Sequence, residues 1–266
     1  MNDIRDLEEF HFRGQQGMYF SEYLSFDDFV CLFSNTVEDN YWNYAAWVTL
    51  DFGRAWPHLR YLFRERNRVP SIYVSKTSGL YGKVEHILPP SFYKAYSDAW
   101  MILVDEATLS KYSVSPKIAI ERINPLSQGD EFVGVFDTAY KGDSPDDPYG
   151  NLPAYYAKAL RNSFQLHPAG YTVEHYLAKV DGTPAGVATA IMGNAIVGVY
   201  NVGTIRGYRK QGVGIALMAH IYRKCADKSI STIILQTEQG SPVEKWYTNM
   251  GFQTVSVASC YSEKAE

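Results

Sequence analysis

Two hydrophobic periods alternate along the chain. Apolar residues two apart read as half-buried strand, and apolar residues three and four apart read as one face of a helix. By this rule WNYAAWV (42–48) is a strand and HLRYLFRER (58–66) is an amphipathic helix with Leu59, Leu62 and Phe63 on one face. SIYVS (71–75) is a short strand. PSFYKAYSD (90–98) reads as a helix start, with proline at an early position that tolerates its missing N–H. AWMILVD (99–105) is a buried strand. SVSPKIAIERI (113–123) is a connector leading into a new strand, which places a domain boundary near Ser115.

Beyond it, GDEFVGVFDTAY (129–140) sets Phe132, Val135, Phe136 and Ala139 at helical spacing. KGDSPDDPYGNLP (141–153) is a loop of turn residues, and AYYAKALRNSF (154–164) is a second helix. Then EHYLAKV (174–180), PAGVATAIM (184–192) and AIVGVYNVGT (195–204) form a three-strand meander, with turns at Asp181-Gly182 and Gly193-Asn194. A basic, glycine-punctuated turn runs directly into a helix in RGYRKQGVGIALMAHIY (206–222), and Leu217, Ile221 and Cys225 lie on its apolar face. A strand at 231–237, a helix near 242–250 and a last strand pair over 252–261 complete the chain. The fold class is α+β, a largely antiparallel sheet with helices on its faces.

Composition narrows the function. The chain has 266 residues, 46% hydrophobic and 20% charged, which suits a soluble globular protein of one large or two small domains. A net charge of −4 gives a nucleic-acid role no electrostatic support and is compatible with cationic small substrates. Aromatic residues reach 15%, with 21 tyrosines; aromatic walls suit an apolar or cationic ligand, and an aromatic core would look the same. The polar start is unlike a signal peptide, and no apolar run spans a bilayer, so no membrane partner is expected. Cys31, Cys225 and Cys260 have neither metal-ligand spacing nor a disulfide framework. No metal is expected, and a reducing cytoplasm is the expected compartment.

The basic turn tests as a phosphate site. Gly207 and Gly212 have Walker spacing, but Val213-Gly214 stand where Lys-Ser/Thr is required. Gly212-x-Gly214 is followed by Leu217 where a dinucleotide fingerprint needs glycine. What fits is Arg209-Lys210-Gln211-Gly212-Val213-Gly214, an Arg-x-x-Gly-x-Gly turn between a strand and a helix. Amides opening a helix lack intrahelical partners and, with the helix dipole, favour an anion. Glycine at 212 and 214 admits a diphosphate close to the main chain, while Arg209 and Lys210 can add charge.

With these residues the sequence resembles the GNAT superfamily of acetyl-CoA-dependent N-acetyltransferases. NVGTIRGYRKQGVGIALM resembles its cofactor motif, and LQTEQGSPVEKWYTNMGF (235–252), ending in Tyr247-x-x-x-Gly251-Phe252, resembles its second motif. The resemblance covers about residues 117–266. One departure is Gly240-Ser241, where many members carry Asn. The resemblance implies a GNAT-type mixed sheet and acetyl-CoA as acyl donor. The pyrophosphate would sit on the amides of Gln211, Gly212, Val213, Gly214 and Ile215. The pantetheine arm would run beside Val202, Gly203 and Thr204 like an added strand. Gly203 would mark a bulge that aims an N–H at the thioester carbonyl. The amine would attack directly, and Tyr247 would return a proton to the leaving thiolate. For the base that deprotonates the ammonium, Glu174, His175, Glu238 and a water chain all stand.

Residues 1–115 follow the strand–helix order of a GNAT second half but lack the Arg-x-x-Gly-x-Gly turn. They read as a degenerate GNAT-like domain walling the substrate cleft, or as an unrelated α+β cap; residues 116–266 read as the catalytic domain. Acetylation of a small-molecule amine is the leading function. Acetylation of a protein Lys or N-terminus and non-catalytic CoA sensing are the alternatives, and a homodimer stays open.

Overall fold

The computed structural model describes residues 3–142, 151–165, 168–226 and 230–264. In chain order the first half comprises α1 (Ile4–Gly14), β1 (Glu22–Ser25), β2 (Val30–Phe33), β3 (Tyr44–Ala46), α2 (Phe52–Glu65), β4 (Ser71–Val74), α3 (Val84–Ile87), β5 (Phe92–Leu103) and α4 (Ala107–Lys111). The second half comprises β6 (Ile118–Arg122), α5 (Pro125–Ala139), α6 (Ala154–Asn162), β7 (Thr172–Val180), β8 (Thr183–Gly193), β9 (Ile196–Thr204), α7 (Val213–Ala226), β10 (Thr232–Glu238), α8 (Pro242–Thr248) and β11 (Phe252–Glu263).

These strands form one mixed sheet in the order β1-β2-β3-β4-β11-β5-β10-β9-β8-β7-β6. Outward from the central antiparallel β5–β11 pair the arrangement repeats. β11 runs antiparallel to β4, which is parallel to β3; β5 runs antiparallel to β10, which is parallel to β9. Each half thus lays its last long strand between strands of the other. Helix α2 packs on one face of the sheet through Leu59, Leu62 and Phe63, over Cys31, Phe33, Ile72 and Val74. Helix α7 covers β8 and β9 with Val213, Leu217, Ile221 and Cys225. A third cluster unites α1, α5 and α6, with Phe10, Phe12, Phe132, Phe136 and Leu160 packed against residues of both halves such as Tyr73, Trp100, Ile191 and Ile234. No helix among the described residues is long and apolar enough to cross a membrane.

The structure differs from the sequence reading in three local places and adds one helix that the reading did not assign. Residues 92–98 are strand, not helix, because β5 pairs with β11 along its whole length and with β10 over 98–102; cross-strand pairing overrides local periodicity. The expected last strand pair is the single strand β11, with irregularities at Thr254/Ser256 and Cys260/Tyr261. The second meander turn falls one residue later, at Asn194-Ala195, both with positive φ (50° and 61°). The acidic start is a helix: Asp3 and Asp6 form a reciprocal capping box, and Leu7, Phe10 and Phe12 are buried. Most of the 141–153 loop, residues 143–150, lies outside the described residues.

Candidate active site

Strands β9 and β10 pair only between 196–198 and 232–234 and then part. From Val199 to Thr204, β9 is held by β8 alone, and its other edge opens into a cleft. The register slips between Val187 and Thr189, opposite Gly203 and Tyr200. The extra residue is accommodated at Asn201, whose φ is +54°. The bulge therefore sits at 201–202, and Gly203, the residue expected to mark it, pairs regularly with Val187. Gly203 serves packing instead: a Cβ there would lie 2.9 Å from Ala139 Cβ and 3.0 Å from the Tyr140 ring. Tyr140 Oη donates to the Val202 carbonyl at 3.1 Å, and Arg209 Nε donates to the Thr204 carbonyl at 3.1 Å. A chain laid along this edge would share those carbonyls, each of which keeps a second lone pair.

At the end of β9 the chain turns through a short 3-10 segment into α7. Lys210 (φ +63°) and Gly212 (φ +86°) take left-handed conformations. A Cβ at Gly212 would approach Tyr112 Oη to 2.5 Å, and one at Gly214 would approach the Trp246 ring to 3.0 Å. Among the described residues the amides of Gln211, Gly212, Val213, Gly214 and Ile215 donate to no main-chain carbonyl; the first helical bond runs from Ala216 N to Gly212 O. Five unpaired donors at one helix start can hold a diphosphate. Lys210 and Arg206 are exposed beside them. Arg209 is placed differently from its expected role: Nη2 donates to the last carbonyl of α5, Ala139 O, at 3.0 Å. Its guanidinium thereby ties α5 to the end of β9.

The cleft between β9 and β10 contains two connected cavities. The inner one, about 180 Å³, is bordered by Asp98, Tyr200, Val202, Thr237, Glu238 and Tyr247. The outer one, about 360 Å³, is bordered by Asp39, Trp42, Phe136, Leu152 and Tyr156, and the two share Tyr19, Tyr41, Trp42, Tyr140 and Asn201. Tyr247 is buried on α8, next to Trp246 and Phe252. That helix is fixed by Ser241, whose Oγ accepts from Glu244 N at 3.1 Å, while Glu244 accepts from Gly240 N at 2.6 Å and from Thr254 Oγ1 at 2.6 Å.

Of the expected bases, only Glu238 borders the cleft. Glu174 lies in a recess on the α7 side, with Arg122 at 3.2 Å and the Tyr176 hydroxyl. His175 is wedged between Phe132 and Phe164, with Nδ1 2.9 Å from Thr189 Oγ1. Thr189 accepts from Asn201 Nδ2 at 3.1 Å, so His175 supports the cleft wall from behind.

The sequence reading missed Asp98. It comes from the first half, on β5, directly across from Glu238 on β10. Tyr73 Oη donates to its Oδ2 at 3.1 Å and accepts from Trp100 Nε1 at 2.8 Å. The Asp98 carboxyl is raised to about 7: burial is the main cause, the Tyr73 hydrogen bond lowers it, and the neighbouring Glu238 charge adds to the rise. His11, also on the cleft, is held neutral by burial, its pKa lowered to about 3.

The first half offers no second cradle. Where α7 starts on glycines, α2 starts on Asp51, whose carboxylate accepts from Arg54 N at 3.2 Å. Beyond β3, Trp47 (φ +58°) donates from Nε1 to Glu8 at 2.7 Å, and the Arg5 guanidinium covers its ring.

Residues 136–252 match the family model described as "Acetyltransferase (GNAT) family". No curated protein matches the chain in sequence. Among solved structures, a GCN5-related N-acetyltransferase from Kribbella flavida is 16% identical with a TM-score of 0.64, covering 92% of this chain and 90% of that one. A functionally unknown conserved protein from Staphylococcus epidermidis is 13% identical with a TM-score of 0.68, covering 92% and 94%. A tandem GNAT protein from the clavulanic acid biosynthesis pathway is 15% identical with a TM-score of 0.60, covering 90% and 79%. At such identities the likeness is one of fold, and it extends over both halves. Residues 136–252 therefore form an acetyltransferase domain of the GNAT family.

Proposed function

We propose that this chain transfers the acetyl group of acetyl-CoA to a primary amine of a small molecule. The observation that carries the reading is the continuity of the site. The unpaired amides of 211–215 lead along the open edge of β9 into a cavity bordered by both Tyr247 and Asp98. The amides, with Lys210 and Arg206, would hold the diphosphate, and Val202, Gly203 and Thr204 would flank the pantetheine arm. Acetyl-CoA supplies an activated acyl thioester. The chain's own residues orient the amine, exclude water and move two protons. Asp98, with Glu238 opposite, takes the proton from the substrate ammonium. Tyr247 Oη gives one to the departing sulfur. Much of the rate then comes from holding amine and thioester together.

A small substrate fits a cleft walled by both halves, the first half acting as a GNAT-like domain without a cofactor cradle. Cys31, Cys225 and Cys260 are buried thiols outside any disulfide, which suits a reducing compartment such as the cytoplasm. Thiol release from acetyl-CoA across an amine panel tests the activity, and Tyr247→Phe tests the acid. We expect kcat to fall by about 10²- to 10⁴-fold in Tyr247→Phe, with acetyl-CoA affinity kept. Wild-type kcat in that variant would remove Tyr247 from the role, and acetyl-CoA binding without thiol release for any amine would favour a sensor.

A further inference from the structure

Three carboxyl groups border the two cavities: Asp39 in the outer one, Asp98 and Glu238 in the inner one. No Lys or Arg borders either among the described residues. The outer cavity is also aromatic. Tyr19 and Trp42 stack at 4.2 Å, and Tyr41 stacks on Tyr96 at 4.0 Å. Asp39 is fixed at the rim of this box: its carboxylate accepts from Tyr156 Oη at 2.7 Å, Tyr155 Oη at 3.4 Å and the Tyr41 amide at 3.1 Å. A carboxylate with about four lone-pair sites keeps room for another donor.

An acidic, aromatic box next to a second pair of carboxylates is the complement of an elongated molecule with a positive charge at each end. We infer that the acyl acceptor is a small diamine or longer polyamine, with its reacting nitrogen at Asp98 and Glu238 and a second, unreacted ammonium in the box of Tyr19, Tyr41, Trp42 and Asp39. This deepens the acetyltransferase reading above and rests on it. The aromatic faces attract the ammonium through the ring quadrupole, and Asp39 accepts its N–H groups. The methylene spacer packs along Tyr140 and Phe136. A monoamine with an apolar tail fills the same volume but leaves Asp39 without its counter-charge. An amine bearing a carboxylate at the far end meets Asp39 with like charge. An outer cavity of about 360 Å³ has room for a chain of this size.

The test compares 1,n-diaminoalkanes (n from 4 to 8) with n-alkylamines of equal length, reading kcat/KM by thiol release. Binding of the same compounds to the acetyl-CoA complex is read in parallel by calorimetry. We expect the best diamine to exceed its matched monoamine by roughly tenfold or more, and the ratio to collapse toward one in Asp39→Asn. Tyr41→Leu, at an exposed position, gives a second reading with little risk to folding. Its ratio should fall severalfold. A diamine-to-monoamine ratio near one in the wild type, or a ratio unchanged in both variants, overturns the inference while leaving the acetyltransferase reading intact. Absence of turnover with every amine overturns that reading instead. In that case diamine binding that depends on Asp39 would still support the box, and its absence would overturn it.

Discussion

Asp98→Asn should make the protein more stable and the enzyme much slower. The folded cleft raises the Asp98 carboxyl from 3.8 to about 7 through burial and the facing Glu238. Folded, the group keeps its proton up to about pH 7; unfolded, it releases it near pH 4. The folded state therefore binds more protons across that window, and stability falls as pH rises through it, then stays at the lower level above pH 7. About three pKa units at about 1.4 kcal/mol each put the loss at about 4 kcal/mol above pH 7 and about 1.5 kcal/mol at pH 5. Asparagine keeps the shape and still accepts from Tyr73 Oη, but carries no charge to desolvate. Denaturant unfolding should show the variant more stable by about 2 to 4 kcal/mol at pH 8, with a smaller gain at pH 5.

The same substitution should lower kcat/KM by about 10²- to 10⁴-fold above pH 7 and erase the ascending limb of the pH–rate profile centred near 7. A variant that is no more stable than the wild type at pH 8 would refute the reasoning, because a carboxylate comfortable in the cleft has no raised proton affinity to use on an ammonium. A variant that is stabilised but fully active would leave the electrostatics standing and transfer the base role to Glu238.

Two further predictions concern the cofactor cradle and the frame around it. Lys210→Glu places a like charge beside the amides of 211–215 and should weaken acetyl-CoA binding by about tenfold at low salt; unchanged affinity by titration would count against a diphosphate there. Gly251→Ala should destabilise the fold by about 3 kcal/mol or more, because φ is +98° and a Cβ would collide with the Asp105 carbonyl. Thermal melting checks it, and a drop of under a few degrees would contradict the clash.

The second half was readable because its chemistry is local. The Arg209-to-Gly214 turn, the meander and Tyr247 each depend on neighbours within about twenty positions, and periodicity plus turn residues locate them. The proposed base was not readable, for the opposite reason. Asp98 ends a segment whose own pattern suggested helix, and it becomes a cleft residue only because β10, some 140 positions later, pairs with β5. Arg209 shows a different limit. Its charge suggested an anion contact, while the fold uses its planar fork on two carbonyls. The aromatic box left a trace in composition, but nothing in the spacing of Tyr19, Tyr41 and Trp42 ties them to Tyr140 and Asn201.

The exchange of β5 and β11 links these observations. The first half lacks the Arg-x-x-Gly-x-Gly turn, yet it supplies the strand next to β10 and, with it, Asp98. The same half brings α1, Tyr19 and the 39–42 segment over the opened edge of β9. The Trp47 Nε1 bond to Glu8 ties α1 to the chain beyond β3, and Asp51 caps α2. On this account the first half acts as the substrate-binding wall of the second. Substitutions in 19–42 should change which amine is used without changing acetyl-CoA affinity, whereas substitutions in 202–215 should do the reverse.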